Sequence, residues 1–351
     1  MTTKERFERI YAHKEADRVP VRDYPWSHTI KRWREEGLPN DDWVGYFDLD
    51  RIVGIGADIS PRYEWKVIEE TSEYIITSTN TGAIEKNFKH SNTTPEHIDY
   101  KVKNRETWAE TKARMQPDKS RVNWAHLEKN YKNWVDSGYW IVGGLWFGFD
   151  VAHSRMVGTE RFLMAMLDDP EWCMDIIETH LNLSLAMMDM VWDAGYHFHE
   201  VSWPDDMGYK GTQFFSLDAY REIVKPFQKR AAEWAHKKGC KVLLHSCGNI
   251  GKFIPDLIEI GIDALNPIEV KAGNDPAAIK RQYGKDLVLH GGVDALLWDD
   301  AEAITAEIKR ILPVMKENGG YIFASDHSIP SSVSLENFKK IIATVKEYGA
   351  Y

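Results

Sequence analysis

From residue 138 onward the chain alternates short apolar runs with longer stretches of helical period, and this alternation limits what it can fold into. The apolar runs fall at residues 139–145, 198–203, 240–244, 263–266, 287–290 and 321–324. Helical periods occupy residues 159–167, 171–194, 217–238, 251–260, 275–283, 301–316 and 335–348. Short buried strands separated by amphipathic helices are the pattern of βαβ units on a parallel sheet. Five consecutive repeats, with room upstream for three more strands, predict an α/β fold of the (β/α)8 TIM-barrel type. A doubly wound open sheet is the alternative. It calls for a phosphate-cradling glycine loop after its first strand, and no G-x-G-x-x-G occurs.

The first half is less regular. Residues 2–18 predict a leading helix, because Thr2 with Glu5 fits a capping box and Phe7, Ile10 and Tyr11 form one apolar stripe. Arg18-Val19-Pro20-Val21 then turns the chain into an extended segment. Residues 25–135 read as mixed short elements, with a hairpin over 73–86 that turns at Asn80-Thr81-Gly82 and helix over 104–135. No stretch is rich enough in Gly, Ser or Pro to act as a linker. Residues 1–351 are therefore expected to form a single domain, a barrel with an N-terminal helical extension and insertions in its first half.

Charge narrows the partners. The chain carries 44 Lys and Arg against 54 Asp and Glu, a formal charge of −10, which argues against nucleic acid. No apolar run approaches the roughly 18–20 residues needed to span a bilayer, and the N-terminus has no apolar core of a signal peptide. Cys173, Cys240 and Cys247 are too few and too scattered for a disulfide framework. The reading is a cytoplasmic, reduced protein that uses neither membrane nor nucleic acid; the oligomeric state is left open. Its 14 Trp exceed ordinary usage, and some are expected to line a pocket for a flat or apolar ligand.

In a TIM barrel the loops after the strands carry the active site. Here those loops open with Trp203-Pro204-Asp205-Asp206, His245-Ser246-Cys247-Gly248-Asn249, Asn266-Pro267-Ile268-Glu269, His290-Gly291-Gly292-Val293-Asp294 and Ser325-Asp326-His327. All five offer groups able to ligate metal, move protons or hold polar substrate. The strand starts (Gly239, Gly261, Lys285, Gly319-Gly320) offer only turn-formers. His245 and Cys247 form an H-x-C pair, a soft, zinc-like donor set, although spacing alone favours a buried His and a buried Cys, because two ligands do not make a site. A third ligand must come from another loop: His327, or an oxygen of Asp205, Asp206 or Glu269. Cys173, Cys240, His197, His199 and the methionines at 187, 188 and 190 are expected to be structural, and Asp168-Asp169 and Asp299-Asp300 to cap helices.

At these residues the chain resembles the uroporphyrinogen decarboxylase superfamily, and in particular its corrinoid-dependent methyltransferase branch. The resemblance runs through Asp17-Arg18-Val19-Pro20-Val21, Leu167-Asp168-Asp169-Pro170-Glu171, His245-Ser246-Cys247-Gly248, Gly261-Ile262-Asp263-Ala264-Leu265-Asn266-Pro267, Gly291-Gly292-Val293-Asp294 and Leu335-Glu336-Asn337. It implies a (β/α)8 barrel. Where the decarboxylases carry an arginine-rich R-Q-A-G-R segment for porphyrinogen carboxylates, this chain reads Asp23-Tyr24-Pro25-Trp26-Ser27-His28, so that substrate lacks its complementary charge. The methyltransferase branch binds zinc with an H-x-C pair and a later Cys. His245 and Cys247 match the pair, and His327 falls at the later position, as a His does in the decarboxylases.

The resemblance therefore implies zinc on His245, Cys247 and His327. Such a site is less negative than a thiolate-rich one and so is a stronger Lewis acid toward an ether oxygen. The expected activity is methyl transfer from a small substrate, concretely a methoxyaromatic, to the Co(I) corrinoid of a partner protein, making the chain an O-demethylase component. Asp205, Asp206 and His327 are the expected catalytic groups, and Trp26, Trp203, Asn266, Glu269, His290 and Asp294 the expected substrate contacts. Two alternatives stand beside it: transfer from a methylcorrinoid protein to a thiol, and a metal-free decarboxylase using His327 and an Asp.

Overall fold

The computed structural model describes residues 1–90 and 94–351. Its strands are β1 (Ile52–Ile55), β2 (Lys66–Glu70), β3 (Tyr74–Ser78), β4 (Ala83–Phe88), β5 (Glu96–Tyr100), β6 (Trp140–Gly144) and β7 (Glu200–Pro204). They continue with β8 (Gly208–Tyr209), β9 (Thr212–Gln213), β10 (Lys241–His245), β11 (Ala264–Asn266), β12 (Val288–His290) and β13 (Tyr321–Ile322). Seven of them form one parallel sheet in the order β1-β6-β7-β10-β11-β12-β13. That order is strictly sequential, with no reversal of the kind a doubly wound sheet needs, so the barrel is the fold.

The eighth staves position is filled by an irregular segment, residues 19–22. Val21 bridges Phe323 in parallel, the Phe323 N–H donates to the Pro20 carbonyl at 2.8 Å and the Arg22 N–H to the Phe323 carbonyl at 3.0 Å. On its other side the Val21 N–H donates to the Asp50 carboxylate just ahead of β1, at 2.8 Å. The sequence expectation of five repeats plus three upstream strands thus becomes six strands from β6 onward plus two upstream. Between β1 and β6 lies the first-half insertion. It is a four-stranded antiparallel sheet, β2-β3-β4-β5, of which only the β3–β4 hairpin is legible in advance. The helix expected over 104–135 divides into Arg105–Ala113 and Trp124–Asp136.

The expected long helix over 217–238 is interrupted as well. A wide turn at Tyr220–Val224 separates Leu217–Ala219 from Lys225–Lys237. Pro226 sits in the first turn of the latter, where its missing N–H removes one backbone bond to the preceding turn.

Side chains alternate along each barrel strand, and two cores follow. The inner core holds Trp140, Val142, Leu243, Ala264, Val288 and Ile322 from the strands. Phe7, Ile10 and Tyr11 join them from the helix Thr3–Tyr11, which closes the N-terminal end of the barrel. The Thr2–Glu5 capping box is present and starts that helix. The outer core packs the sheet against the surrounding helices, including Val201, Leu244, Leu265, Leu289 and Ile308. Among the described residues, no helix is long and apolar enough to cross a membrane.

Candidate metal centre and cleft

Alternation that puts Leu243, Ala264 and Val288 inside also turns His245, Asn266 and His290 inward, one layer higher, at the C-terminal ends of three neighbouring strands. His245 and Asn266 are directly paired in the sheet register. The Asn266 amide nitrogen donates to the His290 carbonyl at 3.2 Å. Its oxygen therefore faces His245 Nδ1, 2.5 Å away, which makes Nδ1 the protonated nitrogen. His245 Nε2 is left as a lone-pair donor, the arrangement in which metal-ligating histidines are held.

Cys247 Sγ lies 3.4 Å from that nitrogen, and an Asp206 oxygen lies 3.7 Å from it. The three ligand atoms are all within 4.8 Å of one another, the one such cluster among the described residues. The loop is shaped for this. Gly248 adopts φ +82°, and any Cβ there would run into the Gly208 backbone. Its N–H donates to Glu269 at 2.6 Å, while the Cys247 N–H donates to Asp206 at 2.7 Å. Burial, then Asp206 and Glu269, push the Cys247 thiol well up from its ordinary value. A thiol among carboxylates ionises only when a cation joins it. One imidazole nitrogen, one sulfur and one carboxylate oxygen in this spacing fit a zinc-type ion.

The cleft beside these groups has two adjoining lobes of about 250 and 270 Å³, sharing Arg22, Tyr24, His245, Asn266 and His290. Asp206, Cys247, Asp23 and His327 line the first lobe, and Trp203 and Ser202 the second. Arg22 is the one Lys or Arg among these lining residues. It is buried and bound to Glu200 at 2.8 and 3.1 Å. His290 donates from Nε2 to the Arg22 carbonyl at 2.8 Å, and burial with Arg22 nearby lowers it to about 3, so it is neutral. Burial pushes the Asp23 carboxyl up to about 6, against N–H donors from Ser325 at 2.6 Å and Tyr24 at 2.8 Å.

The expected site residues divide accordingly. Asp206, His245 and Cys247 converge. His327 lines the same cleft, 6.5 Å from the Trp26 ring, but stands outside the cluster of ligand atoms, and Asp206 is the third donor within reach. The loop after β13 is held back there: Asp326 accepts the Ala295 and Val270 N–H groups, and Ser325 is tied to Asp23. Asp205 points into the protein instead of the cleft. It is fully buried, accepts from the Asp150 N–H at 2.9 Å and Gln228 Nε2 at 2.7 Å, and is pushed up to about 7 by burial. Glu269 holds the Gly248 turn, and Asp294 caps the Leu296 N–H. Trp203 contributes one wall, but its ring packs against Phe147 at 5.2 Å on the strand face opposite Glu200 and Ser202. Sequence reasoning missed Arg22 and Tyr24 as cleft residues. The sole signal was their place just after Val19-Pro20-Val21.

These groups project from the C-terminal rim of a sequentially ordered barrel, where proteins of the TIM-barrel class carry their chemistry. Within that class the chain belongs to the uroporphyrinogen decarboxylase (URO-D) family, whose pattern matches residues 141–348. Curated relatives include the uroporphyrinogen decarboxylases of Protochlamydia amoebophila (26% identical over 188 residues, 52% of this chain and 47% of that one) and Neisseria meningitidis (26% over 185 residues, 52% and 50%). The matched part spans about half the length of these relatives. Among solved structures, a methyltransferase from Methanosarcina mazei aligns over 100% of both chains with a TM-score of 0.68 at 16% identity, a likeness of fold.

Proposed function

We propose that this protein is a zinc-assisted methyltransferase that moves a methyl group from a small uncharged substrate to the reduced corrinoid of a partner protein. The observation that carries the reading is the convergence of Asp206, His245 and Cys247, with Asn266 holding the far nitrogen of His245. These three would hold the ion through Nε2, Sγ and a carboxylate oxygen. A bound zinc would act there as a Lewis acid on an ether oxygen, weakening the bond to the methyl carbon. With a carboxylate in place of a second thiolate, the donor set has the same charge as a thiolate-rich one but is harder, which favours oxygen over thiol substrates. His327, on the wall of the same cleft, is the side chain we assign to proton transfer at the leaving oxygen.

Charge separates this reading from its rivals. The decarboxylase reading has the names of the curated relatives in its favour. Yet the one cation lining the cleft, Arg22, is already neutralised by Glu200. A tetrapyrrole bearing several carboxylates, or an anionic thiol, meets no free counter-charge there. An uncharged methyl donor needs none.

The test is elemental analysis of protein purified without chelators, beside the Cys247→Ala variant. About one zinc per chain, lost in the variant, is the expected result. Folded, freshly purified protein without metal would overturn the zinc reading and put the metal-free lyase in front. With metal present, corrinoid methylation from a methyl ether, set against methylation of a thiol, fixes the direction of transfer.

A further inference from the structure

TIM barrels ordinarily fill their interior with layers of bulky inward-pointing side chains. Here the upper layers are filled on one side only. β10, β11 and β12 turn His245, Asn266 and His290 inward. On the other side Gly54 pairs with the inner-core residue Val142, and Gly144 pairs with Ser202. Gly54, Gly144 and Ser202 therefore share the inward face, and Gly56 continues it just after β1. Nothing in the chain requires these three glycines. None has a left-handed φ. Among the described residues, a Cβ on Gly54 or Gly56 would meet no atom within 4 Å, and one on Gly144 would meet the Ile55 carbonyl oxygen at an ordinary 3.7 Å. A glycine in a strand weakens it, and one without a packing reason marks a place where something else comes close to the backbone.

The room they leave is continuous. The second lobe, lined by Gly144, Leu145 and Ser202, adjoins a hollow of about 350 Å³ that shares Gly144 and Leu145 and adds Gly56, Ser60 and Trp146. This hollow lies over the ends of β1 and β6 and is bounded by the β3–β4 turn at Asn80-Thr81. Two Arg, Lys, Asp or Glu side chains line the second lobe and the hollow, and both are answered. Glu200 holds Arg22. Asp58 accepts from the Ser60 N–H at 3.0 Å, the Ser60 hydroxyl at 2.6 Å and Arg62 Nε at 2.7 Å.

A separate observation bears on what fills the space. His290 lines both lobes and is 2% exposed. Its Nε2 hydrogen is spent on the Arg22 carbonyl, which leaves Nδ1 as an acceptor, and Nδ1 has no partner among the described residues. A buried acceptor left without a donor is costly. A ligand hydroxyl satisfies it, whereas a carboxylate, which only accepts, does not.

We infer that the second lobe and the hollow form one subsite for an extended, uncharged ligand that bears hydroxyl groups. Gly56 and Gly144 keep its path open, and His290 Nδ1 accepts one of its hydroxyl hydrogens. If the proposed methyl transfer holds, this is the part of the substrate that points away from Asp206, His245 and Cys247; the subsite itself does not depend on that reaction.

Calorimetric titration of the protein as purified tests this with three uncharged probes. Sorbitol is long and carries a hydroxyl on every carbon, glycerol is its short counterpart, and triethylene glycol dimethyl ether is long but has no hydrogen to donate. Wild type is compared with Gly56→Val and Gly144→Val. Sorbitol is expected to bind at least tenfold tighter than either other probe. Each variant should bring sorbitol to within about threefold of glycerol, leave glycerol unchanged, and keep the zinc content and urea midpoint of wild type. Sorbitol that binds no tighter than glycerol removes the extended subsite, and equal binding of the dimethyl ether removes the role of His290. Sorbitol binding indifferent to both variants, or a fall in their urea midpoints, shows that the glycines serve the fold instead; each of these results overturns the inference. Sorbitol has no methyl group to give. Its glycine-dependent binding in a protein that transfers no methyl group would remove the proposed reaction and keep the subsite, and methyl transfer with glycine-independent sorbitol binding would do the reverse.

Discussion

The two ends of the barrel both gather charged and polar side chains, and they treat them oppositely. At the N-terminal end Glu200 is fully buried, and it accepts from Arg22, Tyr11 at 2.7 Å and Trp140 at 2.8 Å. Nearby Asp50 is shared by Arg6, Arg18 and the Val21 N–H. Arg6, Arg18 and Arg22 each meet a buried carboxylate there. At the C-terminal end Asp206 and Cys247 are brought together with the His245 imidazole, and no Lys or Arg belongs to that cluster. A satisfied cluster adds to fold stability and specificity, whereas an electron-rich one with its donors converging is suited to bind something positive. Arg22 joins the two, reaching Glu200 with one part of its guanidinium and Tyr24 with another.

Substitutions can pull the two ends apart. The largest effect is expected from Glu200→Ala, which leaves the Arg22 charge buried without a partner. Urea unfolding should show a loss of about 3–5 kcal/mol, with the zinc content of the folded fraction unchanged. Unchanged stability would show that water reaches Arg22 and that the closed end is not dry.

Asn266→Ala is the mirror experiment. It removes the acceptor that fixes the His245 tautomer, so zinc affinity measured by competition with a chelator should fall about 10–100-fold, while the unfolding midpoint of the metal-free protein barely moves. Equal affinity in the variant would mean that His245 needs no such support.

The smallest effect concerns acid. The Ile141 N–H donates to His199 Nδ1 at 3.0 Å, and burial, helped by Lys4, lowers that imidazole to about 4. In the unfolded chain a histidine takes up its proton near 6.5. Between those values the unfolded state binds more protons than the folded one, so the contribution of His199 is present above about pH 6.5 and is lost as pH falls toward 4. The slope from this one group is at most about 1.4 kcal/mol per pH unit. His199→Asn, which can keep an acceptor near the same place, should flatten the profile of urea midpoints between pH 6.5 and 4.5. An unaltered slope would assign the acid sensitivity to other histidines.

How much of this was legible depended on burial. Strands of the second half are covered on both faces, so they read as unbroken apolar runs, and five of their six ends pointed directly at the loops that matter. The first half hid its sheet because β2 is exposed along its whole length and carries Lys66, Glu69 and Glu70, which look like loop. Within the site, His245 and Cys247 were readable because a strand end fixes their direction. The choice between Asp205 and Asp206 was not. Those two residues follow the last regular position of β7, and which carboxylate turns inward is decided by Gln228 and the Asp150 N–H, far away in sequence. His327 was assigned by position along the chain, but Ser325 and Asp326 are spent on holding the loop, and that leaves the imidazole farther back. Arg22 and Tyr24 gave no periodic signal because their segment pairs only through two isolated bridges, at Val21 and Pro25.

These bridges span some 300 residues of chain. Residues 19–25 pair with Phe323 and Ile329, and Val19 also donates to the Gly349 carbonyl at 2.8 Å. The wall of the cleft that carries Arg22, Asp23 and Tyr24 is therefore made well before the strand it is laid against. A nascent chain holding every metal-ligating residue up to Cys247 still lacks the strand against which that wall is laid. Completion of the cleft is thus deferred until residues 323–329 have been made.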